Sequence, residues 1–253
     1  MHYINLKKVN PSSKTGMPTN KLLCPHRHRG MIIKKYILIA ISIALSACAG
    51  VTQPIKFEAS NIVTEESYLN TKATNGIVLL DVNWGRWWGC GSYENAQLIS
   101  LAFDKLPISP ISNETPPALV LHSPSRLAVD PVFINYAYSL EPGEYAISAF
   151  SIKVARSVSD VGFLTAQRDK LYSGGKPAGG TFTVKPGEAV FIGNFYLDCA
   201  YGPTLWRYHS DGKEAFDAQV AEYASRFPYL DLRNVQFRLF KTKEFGNDYE
   251  LVP

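Results

Sequence analysis

The sequence predicts a mainly β fold, an antiparallel β-sandwich carrying one C-terminal amphipathic helix over about 211–227. Three observations carry this. Short runs rich in Val, Ile and Leu lie between Pro, Gly, Ser and Asn clusters, the pattern of strands bounded by turns. Two segments, LEPGEYAISAF at Leu140–Phe150 and VKPGEAVFIGN at Val184–Asn194, repeat one turn-then-strand arrangement. Only one stretch, from Asp211 to Phe227, shows sustained helical spacing of apolar residues.

Taken in order, residues 49–73 are polar and weakly periodic, the composition of a connecting segment. Strand signals begin with Gly76–Val82 and continue through Gln97–Phe103 and Leu119–His122. Between the last two, Lys105–Pro117 holds Pro107, Pro110, Pro116 and Pro117, which marks a loop or irregular edge. In both PGE segments Pro suits the first central position of a type II turn by fixing φ, and Gly suits the second by accepting positive φ. Val132–Ser139 and Gly180–Val184 supply the incoming strands, so two like hairpins are expected. The run YSGGKPAGGTF lacks the strand-loop-helix context of a phosphate loop and reads as a flexible hairpin connection.

The helix opens on Asp211 with Glu214 three residues on, a capping-box-like pair. Phe216, Val220, Tyr223, Ala224 and Phe227 form its apolar stripe, and Pro228 ends it. Val235, Phe237 and Leu239 then alternate with polar residues as a half-buried closing strand.

The segment upstream of all this has a different character. From Met31 the chain reads MIIKKYILIAISIALSACAG: Lys34 and Lys35, an apolar run from Tyr36 to Leu45, then small residues before Cys48. This is the three-part pattern of an export signal, and the run is too short for the roughly 20 apolar residues of a spanning helix. Leu45-Ser46-Ala47-Cys48 resembles the lipobox of bacterial lipoproteins. The resemblance implies cleavage before Cys48, a diacylglyceryl group on its thiol and an amide-linked chain such as palmitate on its amino group. Two or more acyl chains hold a protein stably on a membrane. Ala49 in place of Asp resembles the outer-membrane class of such lipoproteins, which implies a periplasm-facing domain; inner membrane and cell surface stay open. Residues 1–30 fit poorly before such a signal and are expected to be a mis-assigned upstream extension, with residues 31–47 the signal peptide and 48–73 the lipidated N-terminus and tether. Cys24, His26 and His28 lie upstream of the cut and lack a second ligand pair.

Removing residues 1–47 leaves 206 of the 253 residues, read as a tether followed by one β-rich envelope domain over 74–253. The balance of charge also changes. Eight of the 26 Lys and Arg lie before Cys48 and no acid does, so 18 bases face 22 acids and the net charge is −4. No basic cluster of the kind that binds nucleic acid follows the cut. Cys90 and Cys199 are the two remaining cysteines, and an oxidising compartment favours a bond between them. Two separate buried thiols are the alternative.

Candidate chemistry is sparse. The motifs GxSxG, GxxxxGK[ST] and HExxH do not occur. Only His122 and His209 remain as histidines after the cut, His122-Ser123 before a proline and His209-Ser210-Asp211 at the helix start. Adjacent residues rarely form a triad, which needs spatial convergence. The segment NWGRWWGCGSY places Trp84, Trp87, Trp88 and Tyr93 around Arg86. Such a group either binds, by stacking on sugar rings or contacting a protein, or fills a sandwich core beside a disulfide. For at least two of the three Trp residues the core reading is preferred, with Arg86 stacked on a ring or paired with an acid.

The PGE turns and their strands loosely resemble lipoprotein domains of transthyretin-like or carboxypeptidase-regulatory-like sandwich fold. That resemblance implies a non-enzymatic binding or structural module, with an envelope protein or glycan as the expected partner; the residues themselves give no sign of a cofactor, a metal site or a nucleic-acid surface. The rival expectation is an envelope hydrolase acting on glycan or peptide polymers through His209, or through paired carboxylates such as Asp198 and Asp211.

Overall fold

The computed structural model describes residues 2–3, 57–108, 115–124, 132–208 and 212–238. Contacts divide the chain into two units, Met1–Leu6 with Lys56–Pro253 and Lys7–Ile55, and the described residues belong to the first. Their elements are β1 (His2–Tyr3), α1 (Glu65–Thr71), β2 (Gly76–Asn83), β3 (Arg86–Cys90), β4 (Tyr93–Lys105), β5 (Leu119–His122), β6 (Phe133–Leu140), β7 (Gly143–Ala155) and β8 (Val161–Ala166). After these come α2 (Arg168–Leu171), β9 (Tyr172–Ser173), β10 (Lys176–Pro177), β11 (Thr181–Val184), β12 (Ala189–Asp198), β13 (Thr204–Tyr208), α3 (Gly212–Arg226) and β14 (Gln236–Phe237).

Most strands join two sheets. The first has the order β1-β13-β12-β2-β6 with β14 also on β12; the second has β11-β7-β4-β3, with β5 on β4 and β8 on β7. Pairing is antiparallel except for β12 with β2 and β12 with β14, which are parallel. The fold is thus mainly β, as the alternation of short apolar runs implies.

Strand β2 explains the layering. All eight of its residues are buried, the mark of a strand covered on both faces. Val78, Leu80 and Val82 point into a core shared with Val190, Ile192 and Phe195 of β12, Leu98, Leu101 and Phe103 of β4, and Phe150 and Ile152 of β7. Rings of Phe103 and Phe195 meet edge to face across the two sheets, 5.8 Å apart. On the opposite face Ile77 and Leu79 join Ala137, Ala189 and Phe191 against Phe216, Tyr223 and Phe227 of α3. Three layers result: helix, first sheet, second sheet. The described helix begins at Gly212, and Asp211, the expected N-cap, lies outside the described residues.

The expected hairpins at the PGE segments are corrected by the topology. β6 pairs with β2 in the first sheet, whereas β7 pairs with β4, β8 and β11 in the second. Likewise β11 belongs to the second sheet and β12 to the first. Each PGE turn therefore carries the chain from one sheet to the other, an arch in place of a hairpin. At Pro186-Gly187 the turn has the expected form: Glu188 N donates to Lys185 O at 3.3 Å and Gly187 has φ +67°. Gly143 has φ +159° and no such turn forms. Gly76 allows the second arch to close on β2, because a Cβ there would lie 2.4 Å from Val184 Cγ1 and 2.5 Å from Lys185 O.

Part of the expected tether is also built into the domain. Ser60 N donates to Val120 O and Val63 N to Ala137 O, at 2.8 and 2.9 Å. Thr64 and Ser67 form the capping box that starts α1.

Candidate functional site

The aromatic segment becomes an edge. Asn83 and Trp84 lead out of β2 toward β3, which pairs antiparallel with β4 through a two-residue turn, Gly91-Ser92, joining Cys90 to its register partner Tyr93. Gly91 has φ +62°, the left-handed value that the first central position of such a primed turn needs. Cys90 and Cys199 are bonded, with Cα atoms 4.5 Å apart, so the hairpin is tied to the end of β12 in the other sheet.

Alternation along β3 sends Trp87 and Trp88 to opposite faces, and Trp84 precedes the strand. Trp84 is wholly buried, and its Nε1 donates to the Tyr136 hydroxyl at 2.8 Å. Trp87 is half-buried against the core, its ring 6.4 Å from that of Tyr196. Trp88 points the other way and is 68% exposed, with the Arg86 guanidinium 5.8 Å from its ring centre. Tyr93 carries the Arg156 guanidinium at 4.9 Å. Tyr201, 94% exposed, lies beside the turn, since its carbonyl sits 2.9 Å from where a Cβ on Gly91 would be. Trp84 thus leaves the candidate set for the core, while Arg86, Trp88, Tyr93 and Tyr201 share one end of the sheet.

The same face continues across the second sheet. Register aligns Trp88, Asn95, Ala155 and Val161 in one row and Arg86, Gln97, Lys153 and Phe163 in the next. Three inter-strand steps of about 4.8 Å put the two ends of each row roughly 14 Å apart. Arg86 Nε and Trp87 Nε1 are buried donors without a hydrogen-bond partner. An unmet buried donor costs about 1–3 kcal/mol, which an added acceptor relieves.

A second polar group, which sequence reasoning did not find, lies beneath α3. Asn135, Asp81 and Asn194 are register partners on three adjacent strands, β6, β2 and β12. The Asp81 carboxylate, 3% exposed, accepts from the Tyr223 hydroxyl, Gln219 Nε2 and Asn135 Nδ2, and Gln219 Nε2 also donates to Asn194 Oδ1 at 2.8 Å. Burial pushes the Asp81 carboxyl above its ordinary value, and the three hydrogen bonds offset this only in part. Closed over by the helix, the group fastens α3 to the sheet.

Of the residues of the hydrolase expectation only Asp198 lies among the described residues. Asp198 Oδ1 accepts from Ala200 N in a local turn, and His122 Nε2 bonds Phe57 O at 2.8 Å. His209 and Asp211 lie outside the described residues, as do Cys24, His26, His28 and Cys48. Among the described residues no group of three His, Cys, Asp or Glu is placed to hold a metal ion, and no helix is long and apolar enough to cross a membrane.

Comparison with protein-family models, with curated proteins and with solved structures finds no match.

Proposed function

We propose that this chain is a lipid-anchored lipoprotein of the cell envelope, held at the outer membrane through Cys48 and facing the periplasm, whose β-domain binds an envelope glycan at the Trp88 edge without catalysing a reaction. The observation that carries the binding role is the pairing of an exposed indole with a stacked guanidinium on a strand braced by the Cys90–Cys199 bond. A ring held this way presents a flat apolar face at low entropic cost, and Arg86 and Asn95 beside it offer hydrogen bonds to hydroxyl groups. The disulfide supports the address, because such bonds persist in oxidising compartments.

Co-sedimentation of the full chain with purified envelope polysaccharide and peptidoglycan tests this reading. Binding is expected to weaken about tenfold or more in Trp88→Ala, with the Cys90–Cys199 bond intact. Equal sedimentation of wild type and variant counts against the Trp88 edge; no sedimentation with any glycan, combined with cross-linking from position 88 to a protein, replaces glycan by protein partner.

A further inference from the structure

The strand edges of the two sheets are treated unequally. At β6 the edge is covered by the incoming chain, where Val63 N donates to Ala137 O, and at β5 by Ser60, which bonds Val120 through both its backbone N and its side chain. Cleavage before Cys48 would remove β1 from β13, whose sequence TLWRY carries the charge of Arg207, and β3 ends on the disulfide. Among the described residues β8 has β7 on one side and no strand on the other. Its sequence, VGFLTA, has no charge and no proline, the devices that normally keep an open edge from pairing. Val161, Phe163 and Leu164 are 47, 44 and 36% exposed.

The direction of the open backbone groups follows from register. Arg156 N donates to Asp160 O, and β7–β8 partners run Ala155 with Val161, Lys153 with Phe163 and Ser151 with Thr165. Hydrogen-bonded and non-bonded pairs alternate in an antiparallel ladder. Val161, Phe163 and Thr165 therefore turn their N–H and C=O groups away from β7. Lys170 Nζ donating to Thr165 O at 3.2 Å agrees with this direction. Val161 and Phe163, the exposed residues, are thus ones whose backbone groups face outward, while the outward carbonyl of Thr165 accepts from Lys170.

We propose that β8 pairs antiparallel with β8 of a second copy of this chain, making the two second sheets continuous across a two-fold axis at Phe163. Outward-facing residues fit this register: Phe163 opposes Phe163 of the second copy, and Val161 opposes Thr165. The charges at the strand ends fit as well. Exposed Asp160, 3.6 Å from Arg156, precedes β8, and exposed Lys170, its Nζ on Thr165 O, follows it; in this register Asp160 opposes Ala166 of the other copy, one position along from Thr165, so Lys170 Nζ on leaving Thr165 O is placed to meet it. No like charges meet along the strand, a condition that a directly opposed pair would otherwise violate. The interface is isologous and closes at two copies. Both Trp88 edges remain at the outer rims of the joined sheet, which would let two copies engage one polymer together.

The full lipidated chain in mild detergent, sized by analytical ultracentrifugation, is expected to be a dimer. Phe163→Lys and Phe163→Glu each set like charges opposite one another at the axis and are expected to weaken the dimer roughly tenfold or more. Mixing the two variants restores it as a heterodimer, which a misfolded protein would not do. A wild-type monomer at tens of micromolar overturns the proposal. So does a dimer that persists in Phe163→Lys, a mixture that fails to reassemble, or a photo-cross-linker at position 163 that captures another protein and no second copy.

Discussion

The Tyr223 hydroxyl donates to Oδ1 of Asp81, a bond between residues 142 positions apart that fastens α3 to the centre of the first sheet. Val220, Phe216 and Phe227 pack on either side of it. The helix is thus held by an apolar stripe with one carboxylate in its middle, and the two parts respond differently to pH.

Burial raises the folded pKa of Asp81 above that of the unfolded chain. Between the two values the folded state binds more protons, so this group's contribution is fully present below the unfolded pKa and is lost as pH rises through the folded pKa. Asp81→Asn, neutral throughout, is expected to remove that decline and to equal or exceed wild-type stability at neutral pH. Urea unfolding of both proteins from acid to neutral pH checks it; a difference between them that shrinks with rising pH would contradict the sign.

Glu188 gives the opposite slope. Burial raises its pKa, but the paired Arg238 guanidinium, at 2.6 and 2.7 Å from its two oxygens, more than offsets this and leaves it below the ordinary value. Its contribution is present above the unfolded pKa and is lost as pH falls through the folded one. Glu188→Gln is expected to destabilise the neutral protein and to have little effect in acid, read from the same urea series.

Gly76→Ala probes the second arch. The added methyl meets Val184 Cγ1 and the Lys185 carbonyl well inside contact distance, and a backbone oxygen cannot rotate away. Overpacking of this kind costs typically about 1–3 kcal/mol. A fall in the urea midpoint at unchanged slope is the expected result, and an unshifted midpoint would mean that the arch gives way freely.

How much of this was legible depends on whether the determinant is local. Gly76–Val82 and Leu119–His122 read as strands and are strands, because a β-branched apolar run between turn residues states its own conformation. Partner choice is not stated that way. Pro-Gly marks a reversal without saying whether the next strand pairs with the previous one or crosses to the other sheet; at both PGE segments the chain crosses, and only at Pro186-Gly187 is the turn a tight one. β3 lay hidden among Trp and Gly, although Gly91-Ser92 is a two-residue hairpin signal in plain view. β8 is a short run between a Ser-rich stretch and the Gly-rich run and carries no turn signal of its own. Asp81, Asn135 and Asn194 each sit alone in an apolar strand, so no spacing links them; only register does. A lone carboxylate inside GIVLLDVN was the one available sign.

The Cys90–Cys199 bond was anticipated from compartment and count. It joins residues 109 positions apart and spans the two sheets. In the chain-entropy view a loop of this size gives at most about 4.7 kcal/mol of stabilisation. Cys90→Ser with Cys199→Ser is expected to lose a substantial part of that, and the Trp88 edge to become mobile, seen as faster hydrogen exchange in β3 than in β7. Uniform exchange in both strands would mean that packing of Trp84 and Trp87 holds the hairpin without the bond.

The proposed address depends on anchoring at Cys48. Only a thiol accepts the diacylglyceryl group that the lipobox resemblance implies, so a labelled fatty acid fed to cells is expected to enter the wild-type protein and not Cys48→Ser. The variant should also retain the signal segment, since cleavage follows lipid attachment, and run correspondingly larger on a gel. With Cys48 in a thioether and the other two cysteines bonded to each other, thiol counting on the unreduced, denatured mature protein should find none free. Equal labelling of wild type and Cys48→Ser would remove the lipid anchor; one free thiol in an otherwise intact disulfide form would point to ordinary secretion with Cys48 left unmodified.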